Sequence, residues 1–155
     1  MVLLPWKEVP SQMLSQLTAH TATQLFRVSY FQLVMDVVLM VCPECIGMIG
    51  EDKALDPQKY YIVTFALFSN GESSSPSNTP APYNGPYFPI VTYEDNIRAQ
   101  YAVLTKELNV SKLYCAAGFS MGGQQAYHWS VMYPDFVPRF IAICTAAQTS
   151  PHTIW

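Results

Sequence analysis

Between residues 60 and 147, apolar residues alternate between two patterns, short continuous runs and runs with helical spacing. Residues 60–67, 111–117 and 139–147 are short apolar runs, rich in β-branched, aromatic or small side chains, and they predict strands. Residues 92–110 and 123–133 carry apolar positions at helical spacing. Strands and helices that alternate with short links predict a parallel sheet covered by helices.

The first predicted helix carries its own start signal. Thr92 is a candidate N-cap, and Asp95 stands three residues later, as in a capping box. The apolar positions expected on its buried face are Ile97, Tyr101, Leu104 and Leu108.

The first part of the chain is less regular. Residues 1–24 are poorly patterned, whereas 25–30 and 37–41 are β-rich. Residues 68–89, dominated by Ser, Asn, Pro and Gly, form a long loop. A loop of this length is either functional or a surface excursion, and its position after a buried strand favours a functional loop.

Composition excludes two classes of partner. Half of the 155 residues are hydrophobic and only 12% are charged, against about 25% in a typical soluble domain. The net charge is −3 and no Lys/Arg cluster occurs, so we expect no nucleic-acid partner. The apolar run 31–42 is too short to span a membrane and contains Asp36, so we expect no membrane insertion and a cytoplasmic location by default.

The four cysteines are scattered along the chain. Cys42 and Cys45 form a CxxC pair, but a second pair and neighbouring histidines are absent from the sequence around them. We therefore expect reduced thiols and no metal site.

A serine between glycines lies at the predicted strand-to-helix junction. The stretch Gly-Phe-Ser-Met-Gly-Gly places Ser120 where a tight turn would raise its hydroxyl above the sheet. Such a turn admits only small neighbours, here Gly118, Gly122 and Gly123. We predict Ser120 as a nucleophile and the backbone N–H of Met121 as an oxyanion donor at the helix N-terminus.

Three stretches of the sequence resemble the homoserine O-acetyltransferase branch of the α/β-hydrolase superfamily, in their order and spacing as well as in their residues. They are "IGEDKALDPQKYYIV", "NGESSSPSNTPAPYNGPYFPIVTYEDNIRAQ" and "GFSMGGQQAYHWSVMYPDFV", and the match covers residues 49–150. The Gly-Gln-Gln-Ala-Tyr-His-Trp pattern looks more like fungal relatives, including the AK-toxin-type abhydrolases of toxin clusters.

The resemblance implies a partial α/β-hydrolase fold: a mostly parallel sheet with flanking helices, whose C-terminal strands and lid are missing. Residues 25–155 would be the N-terminal part of that domain, after the unpatterned segment 1–24. Its chemistry would be acyl transfer through an ester on Ser120, without a bound cofactor. A small-molecule donor, such as acetyl-CoA, another acyl-CoA or an ester, would give its acyl group to an alcohol or to water.

The triad base and acid expected after later strands have no good candidate in the chain. His128 lies about 12 Å down the helix at a rise of 1.5 Å per residue. His152 stands in a connecting segment, His20 in the unpatterned N-terminus, and Asp135 at a helix end. Three explanations stay open: a truncated gene product, which is favoured, an inactive pseudoenzyme, or a half that docks on another chain. A longer parent protein could be peroxisomal.

The resemblance also implies that two loops contribute to the substrate pocket. Asn70 and Gly71, with the serine-rich residues 73–77, are expected to line or cover it, although ordinary turn chemistry also explains them. The segment 42–48, which would supply the second oxyanion donor, lacks the expected glycine- or histidine-rich pattern. Arg98 is expected to form a structural ion pair.

The parent activity is accordingly either acyl transfer of the homoserine O-acetyltransferase type or ester hydrolysis in fungal secondary metabolism. A parallel sheet that stops midway leaves an apolar edge exposed, so we expect homodimerisation or aggregation through that edge.

Overall fold

The computed structural model describes residues 38–41, of which only the backbone is considered, and residues 47–148. These residues fall into two compact units. The loop unit comprises Phe65–Val110, and the sheet unit comprises the described residues before 65 and after 110. The β-rich prediction for 25–30 lies outside the described residues.

The sheet unit is built on four parallel strands in the order β2-β1-β3-β4. They are β1 (Val38–Val41), β2 (Tyr61–Thr64), β3 (Cys115–Phe119) and β4 (Phe140–Ile143). The predicted parallel sheet is therefore confirmed, although β2 and β4 are shorter than the apolar runs 60–67 and 139–147. β4 ends at Ile143, and the next residue, Cys144, has φ +50°, outside the β region.

One face of the sheet holds a small apolar core. Ile62 of β2 lies in register with Leu39, which lies opposite Cys115 of β3. Leu55, Ile62, Cys115 and Ala117 are buried together, and Ile49 and Tyr60 pack against them. This alternation of strand residues is the period of two that places every second side chain on one face.

The long helix of the sheet unit, α2 (Met121–Met132), packs against β3 and β4. Its Ala126 and Trp129 are fully buried, and the Tyr127 ring lies 5.0 Å from the Phe140 ring. The helix begins at Met121, two residues before the predicted start at Gly123, and ends before Pro134, as predicted.

β4 forms one end of this four-stranded sheet, and its apolar side chains are only partly covered. Phe140, Ile141 and Ile143 are 41%, 51% and 36% exposed. The predicted apolar sheet edge is thus present in the described residues. Self-association through it stays a prediction.

The loop unit combines the long loop with α1 (Tyr93–Ala102), whose last turn continues as a π-helical turn, Val103–Glu107. The predicted capping box is confirmed: the Asp95 amide donates to Thr92 Oγ1 at 3.2 Å, and the Thr92 amide donates to Asp95 Oδ2 at 2.9 Å. Ile97 and Leu104 of the predicted apolar face are fully buried.

The loop preceding α1 is organised by asparagine side chains. Asn78 Oδ1 accepts the Ser75 amide at 2.7 Å, and Asn78 Nδ2 donates to the Ser73 and Gly71 carbonyls at 2.8 and 3.2 Å. Asn96 of α1 accepts the Phe68 amide at 3.0 Å, which ties the start of the loop to the helix. The loop also contains one 3-10 turn, Gly85–Tyr87.

Candidate active site at the strand–helix turn

Ser120 lies between the last residue of β3 and the first residue of α2. Its backbone has φ +53° and ψ −115°, a conformation that costs a non-glycine residue on the order of 1–3 kcal/mol. The residue is exposed, and its hydroxyl makes no capping hydrogen bond with the helix. The strained turn therefore presents the hydroxyl at the carboxyl end of β3.

The backbone of Ser120 is held on both sides. Its N–H donates to the Ile143 carbonyl at 2.8 Å, which links the turn to the end of β4. Its own carbonyl accepts the amides of Gly123 and Gln124 at 3.1 and 3.2 Å. These bonds fix the strained residue in place, because moving it would break the start of the helix and the link to β4.

Glycines 118 and 123 are required by close approaches. A Cβ on Gly118 would fall on the carbonyl of Gly122. A Cβ on Gly123 would lie 2.6 Å from Thr145 Cγ2 and 3.2 Å from the Gly118 carbonyl oxygen. Gly122 is buried in the same turn. The structure thus gives a steric reason for these glycines, while their contact with a substrate stays a prediction.

Met121 opens the twelve-residue helix α2, and its side chain is 42% exposed. The first amides of a helix have no partner within the helix, and the helix dipole makes that end favourable for negative charge. Met121 N–H is therefore placed at the end of a helix suited to an oxyanion. Its role as an oxyanion donor stays a prediction.

Side-chain charge is absent from both segments that build the turn. No Asp, Glu, Lys or Arg occurs at positions 115–134 or 140–148. The cations Lys112 and Arg139 come before β3 and β4, at the amino ends of these strands. These two segments therefore bring backbone dipoles, but no Asp, Glu, Lys or Arg side chain, to the turn at Ser120.

One titratable group in β3 is perturbed. Burial raises the pKa of the Cys115 thiol above its ordinary value, and the Arg139 cation partly opposes that shift. Cys115 is buried in the apolar core and Cys144 is exposed. The CxxC pair lies outside the described residues. Within the described ranges no group of three or more His, Cys, Asp or Glu is placed to hold a metal ion.

The structure does not bring His128 to Ser120. His128 lies on α2 eight residues after the serine, about 12 Å away along a helix that rises 1.5 Å per residue. Asp135 is exposed in the turn after α2. His20 and His152 lie outside the described residues.

The remaining predicted residues belong to the loop unit. Asn70 and Gly71 stand at its first turn, where Gly71 has φ +86° and the Asn70 amide donates to the Leu67 carbonyl at 3.4 Å. Their predicted contact with the pocket stays a prediction, as does that of residues 73–77. Arg98 pairs with Glu94 and Asp95 at 3.1 and 3.2 Å, so its predicted structural ion pair is confirmed.

Two residues next to the turn, Cys144 and Thr145, were not predicted from the sequence. Thr145 contacts Gly123, and Cys144 has a left-handed φ that redirects the chain between Ile143 and Thr145. No sequence motif marks either residue, because apolar runs and glycine patterns do not show which residue after a neighbouring strand will contact a helix. Across the part of the chain that the structure describes, no helix is both long and apolar enough to span a membrane.

A family model described as the alpha/beta hydrolase fold matches residues 43–155. The chain is 46% identical over 104 residues to an ethyl acetate hydrolase of Pseudomonas veronii, covering 67% of this chain and 30% of that protein. It is 41% identical over 110 residues to a homoserine O-acetyltransferase of Methanocorpusculum labreanum, covering 68% of this chain and 22% of the relative.

Solved structures of esterases have the same fold. The acetyl esterase MekB matches with a TM-score of 0.72 and 39% identity, over 76% of this chain and 36% of that one. An acetylester hydrolase from Corynebacterium glutamicum matches with a TM-score of 0.74 and 34% identity, over 78% and 38%. The chain thus spans less than a third of the length of these two curated relatives and under two fifths of these two structures. With its parallel sheet, its strained serine turn and the family match over residues 43–155, the chain belongs to the α/β-hydrolase fold family.

Proposed function

We propose that Ser120 is the nucleophile of an acyl-transfer reaction in which a short acyl group, acetyl in the first instance, is carried as an ester on its hydroxyl. The observation that carries the proposal is the left-handed backbone of Ser120 at the junction of β3 and α2. A strained, exposed serine at such a turn is the geometry by which this fold raises a nucleophile.

The reaction would proceed in two balanced steps. Ser120 Oγ attacks the carbonyl carbon of the donor and loses its proton to a general base, and the leaving alcohol or thiol takes up a proton as its bond to the carbonyl breaks. An alcohol or water then attacks the ester, and the base accepts its proton and returns one to Ser120 Oγ. The negative oxygen formed in each step would accept a hydrogen bond from Met121 N–H.

The base and the acid of the triad are assigned to polypeptide outside the described residues, since His128 lies too far along α2. A histidine held by a carboxylate is the partner that such a serine requires.

The proposed acyl group rests on what the relatives share. The names of the similar proteins mention ethyl acetate, acetyl esters and O-acetyl transfer. These activities differ in the acceptor, which is water for the hydrolases and an alcohol for the transferases. A transferase would use acetyl-CoA or another acyl-CoA as its donor, whereas an esterase would use a neutral ester.

Labelling with a fluorophosphonate probe tests the nucleophile. Because the proposed base lies outside the described residues, the probe is applied to the protein that includes the polypeptide carrying that base, called here the parent chain. We expect the parent chain to be labelled and its Ser120→Ala variant to be unlabelled. Ser130→Ala is the matched control, because Ser130 Oγ donates to the Tyr127 carbonyl at 2.8 Å within α2 and should leave labelling unchanged. Absence of labelling in the parent chain would contradict an activated serine and favour the inactive alternative.

The acceptor is tested by following an acetyl group from two donors. An acetyltransferase would move acetyl from acetyl-CoA to homoserine and leave simple esters largely intact. An esterase would release acetate from ethyl acetate or p-nitrophenyl acetate, with homoserine having no effect on the rate. Ser120→Ala should abolish either activity.

A further inference from the structure

Four residues form a closed ring of contacts behind the nucleophile. The Ser120 amide donates to the Ile143 carbonyl at 2.8 Å, and the Gly123 amide donates to the Ser120 carbonyl at 3.1 Å. Two residues after Ile143, Thr145 approaches Gly123 and closes the ring. Cys144, with φ +50°, is the turn that lets the Ile143 carbonyl and the Thr145 side chain both reach the start of α2.

The two halves of the Thr145 side chain have different surroundings. Its methyl carbon Cγ2 would stand 2.6 Å from a Cβ on Gly123, so it lies directly against the first turn of α2. Its hydroxyl Oγ1 is buried and has no hydrogen-bond partner among the described residues. An unpaired buried hydroxyl is unfavourable, so the contact that Thr145 contributes is that of its methyl group.

We propose that Thr145 is a positioning residue for the nucleophile, and that its methyl group sets the distance between the end of β4 and the first turn of α2. The proposal rests on the proposed role of Ser120. The absence of a side chain on Gly123 allows the first turn of α2 to approach the end of β4, and contact with the Thr145 methyl group prevents a closer approach. The distance between the end of β4 and α2 is therefore fixed. The backbone of Ser120 is hydrogen-bonded both to Ile143 and to Gly123, so the distance between β4 and α2 determines the position of the Ser120 hydroxyl.

The size of the effect follows from packing. Removing a buried methyl group leaves a gap that lets the neighbouring turn move by a fraction of an ångström. A misplacement of about 1 Å at a reacting atom can cost on the order of 100-fold in rate. We therefore expect loss of this methyl to reduce the reactivity of Ser120 about tenfold, as a smaller displacement.

A pair of variants separates the methyl from the hydroxyl. Thr145→Ser keeps the hydroxyl and removes Cγ2, whereas Thr145→Val keeps the shape and removes the hydroxyl. Amide hydrogen exchange in the full chain measures the integrity of the ring directly, because the hydrogen bond from the Ser120 N–H to the Ile143 carbonyl is part of the ring. We expect the Ser120 amide to exchange at least about fivefold faster in Thr145→Ser and at the parent rate in Thr145→Val.

An internal reference shows whether a change is local. The Leu113 amide donates to the Phe136 carbonyl at 2.9 Å in the same unit, away from the ring. Its exchange should stay constant in Thr145→Ser. An equal acceleration of both amides would mean general destabilisation and would overturn the proposal, as would faster Ser120 exchange in Thr145→Val alone.

The rate of fluorophosphonate labelling then connects the ring to reactivity. Gly123→Ala should slow labelling, and adding Thr145→Ser should partly restore it, because the smaller side chain makes room for the new Cβ. Additive losses in the double variant would contradict the contact. If the parent chain is not labelled at all, the proposed function fails, while the exchange rates of Ser120 and Leu113 still decide whether Thr145 positions the turn.

Discussion

The carbonyl group of Gly122 occupies the position at which a side chain on Gly118 would begin. These two residues belong to different elements, since Gly118 lies in β3 and Gly122 in the first turn of α2. Their approach is what makes the turn around Ser120 tight, because the helix folds back onto the strand that precedes it. The arrangement is a backbone-to-backbone contact, so flexible side chains cannot relieve an added atom.

We expect Gly118→Ala to destabilise the chain by about 1–3 kcal/mol, the usual cost of overpacking a site that cannot relax. Labelling of Ser120 should fall at the same time, because α2 must move to admit the methyl group. Chemical denaturation and the labelling rate measure the two effects. Gly47→Ala is the matched control, since no atom lies within 4 Å of the Cβ it would add. Equal effects of the two substitutions would refute the steric argument.

Strain at Ser120 predicts that glycine and alanine differ at this position. Both substitutions remove the hydroxyl and should abolish labelling. Glycine adopts φ +53° without a clash, whereas alanine keeps the strained Cβ. Ser120→Gly should therefore be more stable than Ser120→Ala by about 1–2 kcal/mol, measured as the free energy of unfolding in urea. An alanine variant as stable as the glycine variant would show that the backbone is not strained.

The local parts of this structure could be predicted from the sequence. The capping box of Thr92 and Asp95 depends on residues three positions apart, and the turn at Ser120 depends on glycines within six residues. The parallel order follows from strands and helices that alternate along the chain. Each of these features is encoded by near neighbours, and the structure contains all of them.

Element ends were less predictable, because an apolar pattern does not show where a strand stops pairing. The run 139–147 stays apolar beyond Ile143, but the chain leaves the sheet at Cys144, whose φ is +50°. Thr145 carries no sequence signal, since its importance comes from Gly123, which lies 22 positions earlier. Contacts between distant segments of this kind become visible only in the folded molecule.

Asn78 should hold the long loop in its observed conformation. Its side chain makes three hydrogen bonds, to Ser75, Ser73 and Gly71. Asn78→Ala removes all three, at a net cost of about 3 kcal/mol if each contributes an ordinary amount of about 1 kcal/mol. Exchange of the Ser75 amide should accelerate and proteolysis within the loop should become faster.

Asn84→Ala is the control for this loop, because the exposed Asn84 makes no side-chain capping bond at the 3-10 turn. It should leave the Ser75 amide protected. Asn78→Asp adds a second test: it keeps an acceptor for Ser75 but turns an oxygen toward two carbonyls, so it should protect no better than alanine. Recovery of protection in the aspartate variant would show that the Ser75 bond alone holds the loop.

Cys115 gives a dependence of stability on pH. Burial raises the pKa of its thiol above the ordinary value of 9.0, with the Arg139 cation opposing the shift. Below that ordinary value the thiol is neutral in both states, so its contribution to stability is fully present. As pH rises toward the folded pKa, the unfolded chain loses its proton first and stability falls, by at most about 1.4 kcal/mol per pH unit for one proton.

The free energy of unfolding should therefore fall between pH 8 and 10 more steeply in the parent chain than in Cys115→Ala. The alanine variant starts lower, because it leaves a small cavity in the core, so the comparison is of slopes and not of absolute stabilities. Cys144→Ala, at an exposed thiol, should keep the parent slope. Parallel curves for the parent chain and Cys115→Ala would mean that the thiol of β3 is not buried in the apolar core.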